Sequence, residues 1–135
     1  MSRNSEHKDF LLPQAVYKQA YWTARDYNRM RAKLSEFREN GYLAGISENG
    51  FVAMTSGGGR ISDRTAKYAI AICLLEARIK AVDEAFEFIP EKYRPGIREK
   101  IMNGGEWDYI TASINTWKKW QQVFVFGVAE NLGLI

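Results

Sequence analysis

The sequence predicts an all-α fold, and three observations carry that prediction. Apolar residues recur at steps of three and four over long stretches. No stretch alternates apolar and polar residues as a half-buried strand would. Clusters of Gly, Pro and Asn punctuate the chain between the periodic stretches. Taken in order, these stretches give a long antiparallel helix pair followed by a compact C-terminal three-helix unit.

Residues 1–12 read as a flexible polar tail, with no apolar core of the kind a secretory signal needs. The first helix is expected over 13–40, with Pro13 at its start and Asn40-Gly41 as its stop. Ala20, Ala24, Tyr27, Met30, Leu34 and Phe37 lie on one face of it, extendable back to Val16. At 1.5 Å per residue that helix would run about 42 Å, so it needs a partner along its length. Residues 41–62 carry Gly41, Gly45, Gly50 and Gly57-Gly58-Gly59 and read as a connecting loop. The lysine and helix start of a phosphate-binding loop are missing at the required offset.

A second helix is expected from Asp63, a good N-cap residue, to the end of segment 63–89 before Pro90. Ile72, Leu75, Ile79, Val82, Phe86 and Ile89 step by 3, 4, 3, 4, 3, which is heptad spacing. A second stripe of mostly small residues, Ala66, Ile70, Cys73, Ala77, Ala81 and Ala85, occupies a neighbouring face. A helix apolar on two faces is expected at the centre of a bundle, so Cys73 reads as a small core residue. Segment 90–135 then divides into three short helices. The first ends at Asn103-Gly104-Gly105, and the second is expected from Glu106 to Ile114 with Trp107, Ile110 and Ile114 on one side. Asn115-Thr116 marks a break before the last helix, in which Trp117, Trp120, Phe124, Val128 and Leu132 share a face and Gly133 closes the C-terminus.

Composition bounds the function. The chain has 135 residues, 46% hydrophobic and 26% charged, the profile of one globular domain. No apolar run reaches the ~20 residues a membrane span requires. One cysteine cannot form an internal disulfide and, among apolar neighbours, suggests a reduced, cytoplasmic setting. One histidine, His7, excludes zinc sites built from several His/Cys ligands. Asp83, Glu84 and Glu87 cluster on the second helix, where sequence neighbours face water, and no catalytic or dinucleotide fingerprint is present. Neither an enzyme, a metal nor a cofactor is expected.

Charge gives the remaining lead. The net charge is +3 and the pI about 9.0, which permits nucleic-acid binding. Residues 1–64 hold ten Lys/Arg against seven Asp/Glu, and residues 90–122 hold six against four, so the basic excess lies toward the two ends. Lys18, Arg25, Arg29 and Lys33 form a stripe on the first helix, diluted by Asp26, Glu36 and Glu39. In the C-terminal trio, a helix-turn-helix arrangement would send the last helix into a DNA groove. Asn115, Thr116, Lys118, Lys119, Gln121 and Gln122 would then occupy its first turns, where Lys suits guanine edges, Gln suits adenine edges, and Thr or Asn suits phosphate. The same pattern would also be produced by an amphipathic terminal helix with a wet face.

Several segments carry a family resemblance. Ile89-Pro-Glu-Lys-Tyr-Arg, Gly104-Gly105, Trp107-Asp-Tyr-Ile110 and the long helix that follows resemble region 4 of sigma factors. They are more similar to the small sigma-region-4-like regulators of Gram-positive phages, the RinA/ArpU type of late-transcription activators. Tyr21-Trp22-Thr-Ala-Arg25-Asp26-Tyr27, Ser62-Asp63-Arg-Thr65 and Val128-Ala129-Glu-Asn-Leu132-Gly133-Leu-Ile135 extend the likeness. The pattern departs at Thr111, where a small residue is usual, and at Asn115-Thr116, where the turn is altered. The resemblance implies a phage or prophage transcription regulator in the bacterial host's cytoplasm, without enzymatic activity. It would bind double-stranded promoter DNA and contact host RNA polymerase. A homo-oligomer is a separate expectation, from the heptad of the second helix, which with the first helix could serve packing within the chain or dimerisation. On that expectation the last helix reads the duplex while Arg94, Arg98 and Lys100 hold its backbone. Two other readings fit the same residues: a small-terminase-like DNA-packaging protein, and a helical protein-interaction adaptor using the aromatic face of the last helix.

Overall fold

The computed structural model describes residues 10–39 and 63–135. They form helices α1 (Gln14–Arg25), α2 (Tyr27–Glu39), α3 (Asp63–Ala85), α4 (Arg94–Met102) and α5 (Ile114–Asn131), with 3-10 turns at Phe86–Phe88 and Glu91–Tyr93. There is no strand among the described residues, as the periodicity predicts. The expected 41–62 loop with its glycine run, the stop at Asn40-Gly41, and His7 lie outside the described residues. The chain divides into two compact units, one of Met1–Asn28 with Arg78–Ile135 and one of Arg29–Ala77.

The predicted first helix is two. Asp26 sits at φ −82° and ψ 2°, off the helical line, and its N–H is shared between the carbonyls of Trp22 (3.0 Å) and Thr23 (3.2 Å). That tightened turn interrupts the ladder without Pro or Gly, so the apolar period runs straight through it. Pro13 precedes the helix, and its carbonyl accepts the first helical bond from Tyr17 (2.9 Å). Phe10, assigned by the sequence to the flexible tail, sets its ring edge-on to Phe126 at 5.3 Å.

In the first unit α5 is the central element, lying chiefly along α1 and also against α4. Ala20 and Ala24 of α1 are fully buried, and such small side chains allow the close approach. Trp117, Phe124, Val125, Val128 and Ala129 of α5 are buried with Ile97 and Ile101 of α4 and Val82 and Ala85 of α3. Phe86 meets Phe124 at 4.5 Å between ring centroids. Polar ties reinforce the packing. Tyr27 Oη donates to Asp83 Oδ1 (2.6 Å), and Asn131 Nδ2 donates to the Ala81 carbonyl (3.0 Å). The end of α5 is as expected: Gly133 takes φ +76°, which a side chain disfavours. There the N–H groups of Gly133 and Leu134 cap the carbonyls of Glu130 and Ala129.

In the second unit Met30, Leu34, Ala69 and Leu75 are buried, and Phe37 packs edge-on against Tyr68 at 5.4 Å. α2 and α3 therefore meet within one chain. Arg38 and Glu76 approach to 3.4 Å, but both are well exposed, so the pair contributes little. α3 stops at Ala85, short of the expected end at 89, where the chain tightens into the 3-10 turn and Ile89 is extended. The heptad positions Leu75, Ile79 and Val82 on α3 are buried, as are Phe86 and Ile89 beyond it. The small-residue stripe is not uniform. Ala81 and Ala85 are buried, whereas Ile70 (61% exposed), Cys73 and Ala77 face solvent. Cys73 is thus a surface thiol and not a core residue. The physical reason is local: two helices can cover only one face of each other, and the described residues of the second unit lie on two, α2 and α3.

Two helix-interior glycines make different predictions. A Cβ on Gly96 would run into the ring of Trp117, which is 1% exposed and has nowhere to go. Gly96→Ala should therefore destabilise by about 1–3 kcal/mol through overpacking, despite the ~1 kcal/mol that alanine gains in a helix. A Cβ on Gly127 would meet the half-exposed ring of Phe88 at 2.7 Å, which has solvent to move into, and the buried Ala85 Cβ at 3.3 Å, which must give by a few tenths of an ångström. Gly127→Ala should therefore cost less than Gly96→Ala in a chemical-denaturation curve, so equal losses in both variants would refute this account of the packing.

Candidate nucleic-acid interface

The expected helix over Glu106–Ile114 does not form; residues 103–113 are a connector with turns. Local chemistry explains the difference. Asp108 Oδ1 accepts from the N–H groups of Ile110 (3.0 Å) and Thr111 (3.3 Å), and its Oδ2 accepts from the Thr111 hydroxyl. Those bonds offer the backbone an alternative to a helical ladder. Trp107 turns inward and stacks on Trp117 at 5.2 Å, while the Trp117 indole N–H donates to the Asp108 carbonyl (2.9 Å). Ile110, predicted to be buried, is 98% exposed at the tip, flanked by exposed Tyr109 and Ile114.

The connector delivers the chain into α5 three residues earlier than the sequence reading has it. Ser113 is the cap: its Oγ accepts from the Thr116 N–H (3.4 Å) and lies 3.2 Å from the Thr116 hydroxyl. Asn115 and Thr116 are consequently in the first turn of the helix, and the break expected there does not exist.

The nine sequence-predicted DNA contacts separate into three groups. Asn115, Thr116, Lys118 and Lys119 share the first two turns of α5, with Asn115 and Lys118 exposed and Lys119 Nζ 5.0 Å from the centroid of the Trp120 ring. Gln121 and Gln122 turn inward. Gln121 Nε2 donates to Tyr17 Oη (3.0 Å) and Gln122 Nε2 to the Phe10 carbonyl (3.3 Å), so each half-buried amide already has a partner within the unit. The reason is that α5 lies along α1, which the pattern of the last helix alone does not reveal.

The third group is on α4. Arg94 Nε donates to the Ile89 carbonyl (2.9 Å). The Arg98 guanidinium lies over the rings of Phe86 (4.6 Å) and Tyr27 (5.5 Å), and one of its NH groups reaches Met102 Sδ (3.4 Å). Lys100 Nζ lies 5.4 Å from the Trp107 ring. These cations hold α4 to its surroundings. The sequence reading missed Tyr109, Ile110 and Thr111 as a surface feature. The signal was present in Asp108-Tyr-Ile-Thr111, an acceptor followed two and three residues later by the groups it holds.

On the last helix's aromatic face Trp117 and Phe124 are buried, while Trp120 is partly exposed. Among the described residues no cluster of His, Cys, Asp or Glu could hold a metal ion, and no helix is long and apolar enough to cross a membrane. The chain matches no protein-family model, no curated protein and no solved structure.

The Asp108 carboxyl is held below its ordinary range, first by the Thr111 hydroxyl and then by the Ile110 N–H. A depressed carboxyl stabilises the turn above its unfolded pKa, near 4, and that contribution disappears as pH falls through the folded value. Amide exchange at Ile110 and Thr111 should therefore accelerate only in strongly acidic buffer. In Asp108→Ala it should be fast at neutral pH, and unchanged protection there would show that the side chain does not hold the turn.

Proposed function

We propose that this chain is a DNA-binding transcription regulator of the phage or prophage type, reading duplex DNA with the first two turns of α5. One observation carries the reading: α5 buries one face, from Trp117 through Val123–Val125 to Ala129, yet leaves Asn115 and Lys118 exposed on its first two turns. Support also comes from the cap at Ser113 and from the stacked Trp107 and Trp117, which hold that end of the helix without a flexible joint. Helix-turn-helix readers use the N-terminal residues of their second helix for base edges. The α4-connector-α5 segment offers such a helix, though its connector, 103–113, is longer than the usual 3–4-residue turn. Lys118 and Lys119 supply charge, Asn115 offers an amide for adenine, and the helix N-terminus favours phosphate.

A second reading, a protein-interaction adaptor, is favoured by one specific observation: the connector presents Ile110 almost wholly to solvent, and Tyr109 and Ile114 are exposed as well. Exposed apolar groups on an ordered support suit a protein contact, such as RNA polymerase on the regulator reading. The oligomer number follows from neither.

The test is anisotropy of a labelled duplex at several salt concentrations. Lys118→Ala/Lys119→Ala should weaken binding more than tenfold and reduce the log–log salt slope by about 1.8, two phosphate contacts' worth. Gln121→Ala should leave affinity unchanged and lower stability by about 1 kcal/mol, because it leaves Tyr17 without its donor. No duplex binding by the parent chain at low salt would discard the regulator reading in favour of the adaptor.

A further inference from the structure

The second unit contains a cleft of about 320 Å³ lined by Phe37 of α2 and by Arg64, Lys67, Tyr68 and Ala71 of α3. Its walls are of two kinds. Phe37 and Tyr68 stand nearly perpendicular, at 76°, with centroids 5.4 Å apart, and Ala71 adds apolar surface with no bulk. Arg64 and Lys67 bring two positive charges to the same small volume. The Arg64 guanidinium lies 5.7 Å from the Tyr68 ring, and neither cation is ion-paired with a carboxylate among the described residues. Acidic groups are present in this unit, but Glu36 is taken by Lys33 and Glu76 by Arg38.

We infer that this cleft binds a planar aromatic anion of the nucleoside monophosphate class, its ring against Phe37 and Tyr68 and its phosphate on Arg64 and Lys67. The volume is at the lower end of small-molecule sites, which suits one ring system with one charged group. Two cations with no carboxylate partner among the described residues favour an anion, and Arg in particular matches a phosphate's oxygens with paired donors. The aromatic pair gives a ring an edge and a face to lie against. A purely apolar ligand would leave both charges unanswered, and a bare anion would make no use of the two rings, which already have Lys33 (5.0 Å from Phe37) and Arg64 (5.7 Å from Tyr68) near them. The inference does not rest on the DNA reading, since none of its residues lies on α5.

The experiment is calorimetric titration of the full chain with AMP, alongside phenyl phosphate, adenosine and inorganic phosphate. AMP and phenyl phosphate should bind, while adenosine and inorganic phosphate should bind at least about tenfold more weakly, the loss of one charge-assisted contact or one ring contact. Arg64→Gln/Lys67→Gln should weaken AMP by tenfold or more with the helical circular dichroism spectrum preserved, and Phe37→Leu should weaken it while leaving inorganic phosphate where it was. Lys118→Ala/Lys119→Ala should bind AMP as the parent does. Absence of AMP binding at millimolar concentration, equal binding of inorganic phosphate, or AMP binding untouched by the Arg64/Lys67 substitutions would each overturn the proposal.

Discussion

The first unit depends on where the Trp117 side chain goes. It is 1% exposed, stacks on Trp107, meets the edge of Tyr93 at 5.5 Å, covers Gly96 and gives its indole N–H to the Asp108 carbonyl. A buried tryptophan with its one donor satisfied combines a large apolar burial with a directional tie. Here that single residue fixes three things at once: the distance of α4 from α5, the path of the connector, and the depth at which α5 begins. If the ring left its slot, the N–H would lose its acceptor and the connector would lose its floor. The exposure of Asn115 and Lys118 is a consequence of this arrangement, because burying position 117 turns the positions on either side of it outward.

The same unit shows why formal charge overstates what a surface can offer. Six Lys or Arg fall in residues 90–122, yet Arg94 is tied to a backbone carbonyl. Arg98, Lys92, Lys100 and Lys119 each have their charge near an aromatic ring. Each such contact at an exposed site is worth only about 0.5–1 kcal/mol, so a phosphate could still compete for the lysines. Arg98 is different in kind. Its guanidinium lies over the rings of Tyr27, the first residue of α2, and Phe86 of the 3-10 turn, with an NH group at Met102, so withdrawing it would cost contacts with three side chains as well as charge.

Much of this was legible in the residues. Ala20, Ala24, Tyr27, Met30 and Leu34 form the buried face their spacing predicts, and Gly133 closes α5 as a glycine there should. The heptad positions are buried from Leu75 to Ile89. What the sequence hid were outcomes decided by competition between local and tertiary terms. At 106–113 the apolar period of Trp107, Ile110 and Ile114 favoured a helix, but the Asp108 side chain and the Trp107 slot favoured a turn. At Asp26 no residue type marks the break. Gln121 and Gln122 look like readers because glutamine on a terminal helix usually faces water; only the proximity of Tyr17 and Phe10, more than a hundred residues away in sequence, gives their amides partners within the unit.

A magnitude argument narrows what a regulator built this way would require. Two lysines on α5 account for about two phosphate contacts, and two contacts give an electrostatic term well short of the 6–10 typical of tight duplex binders. The exposed turns hold Asn115 as a base-reading amide, and one good bidentate pair discriminates by only about 1–3 kcal/mol. On the proposed reading, then, a single copy of this helix end would bind weakly and select poorly. Affinity would have to come from a second contact surface or from joining two copies on one duplex, where each half-site contributes and linkage multiplies the two. The apolar residues left uncovered are consistent with such a need for partners: Ile110 at the connector tip, and Ile70 and Leu74 on the solvent side of α3, are too large and too exposed to be explained by the packing within either unit.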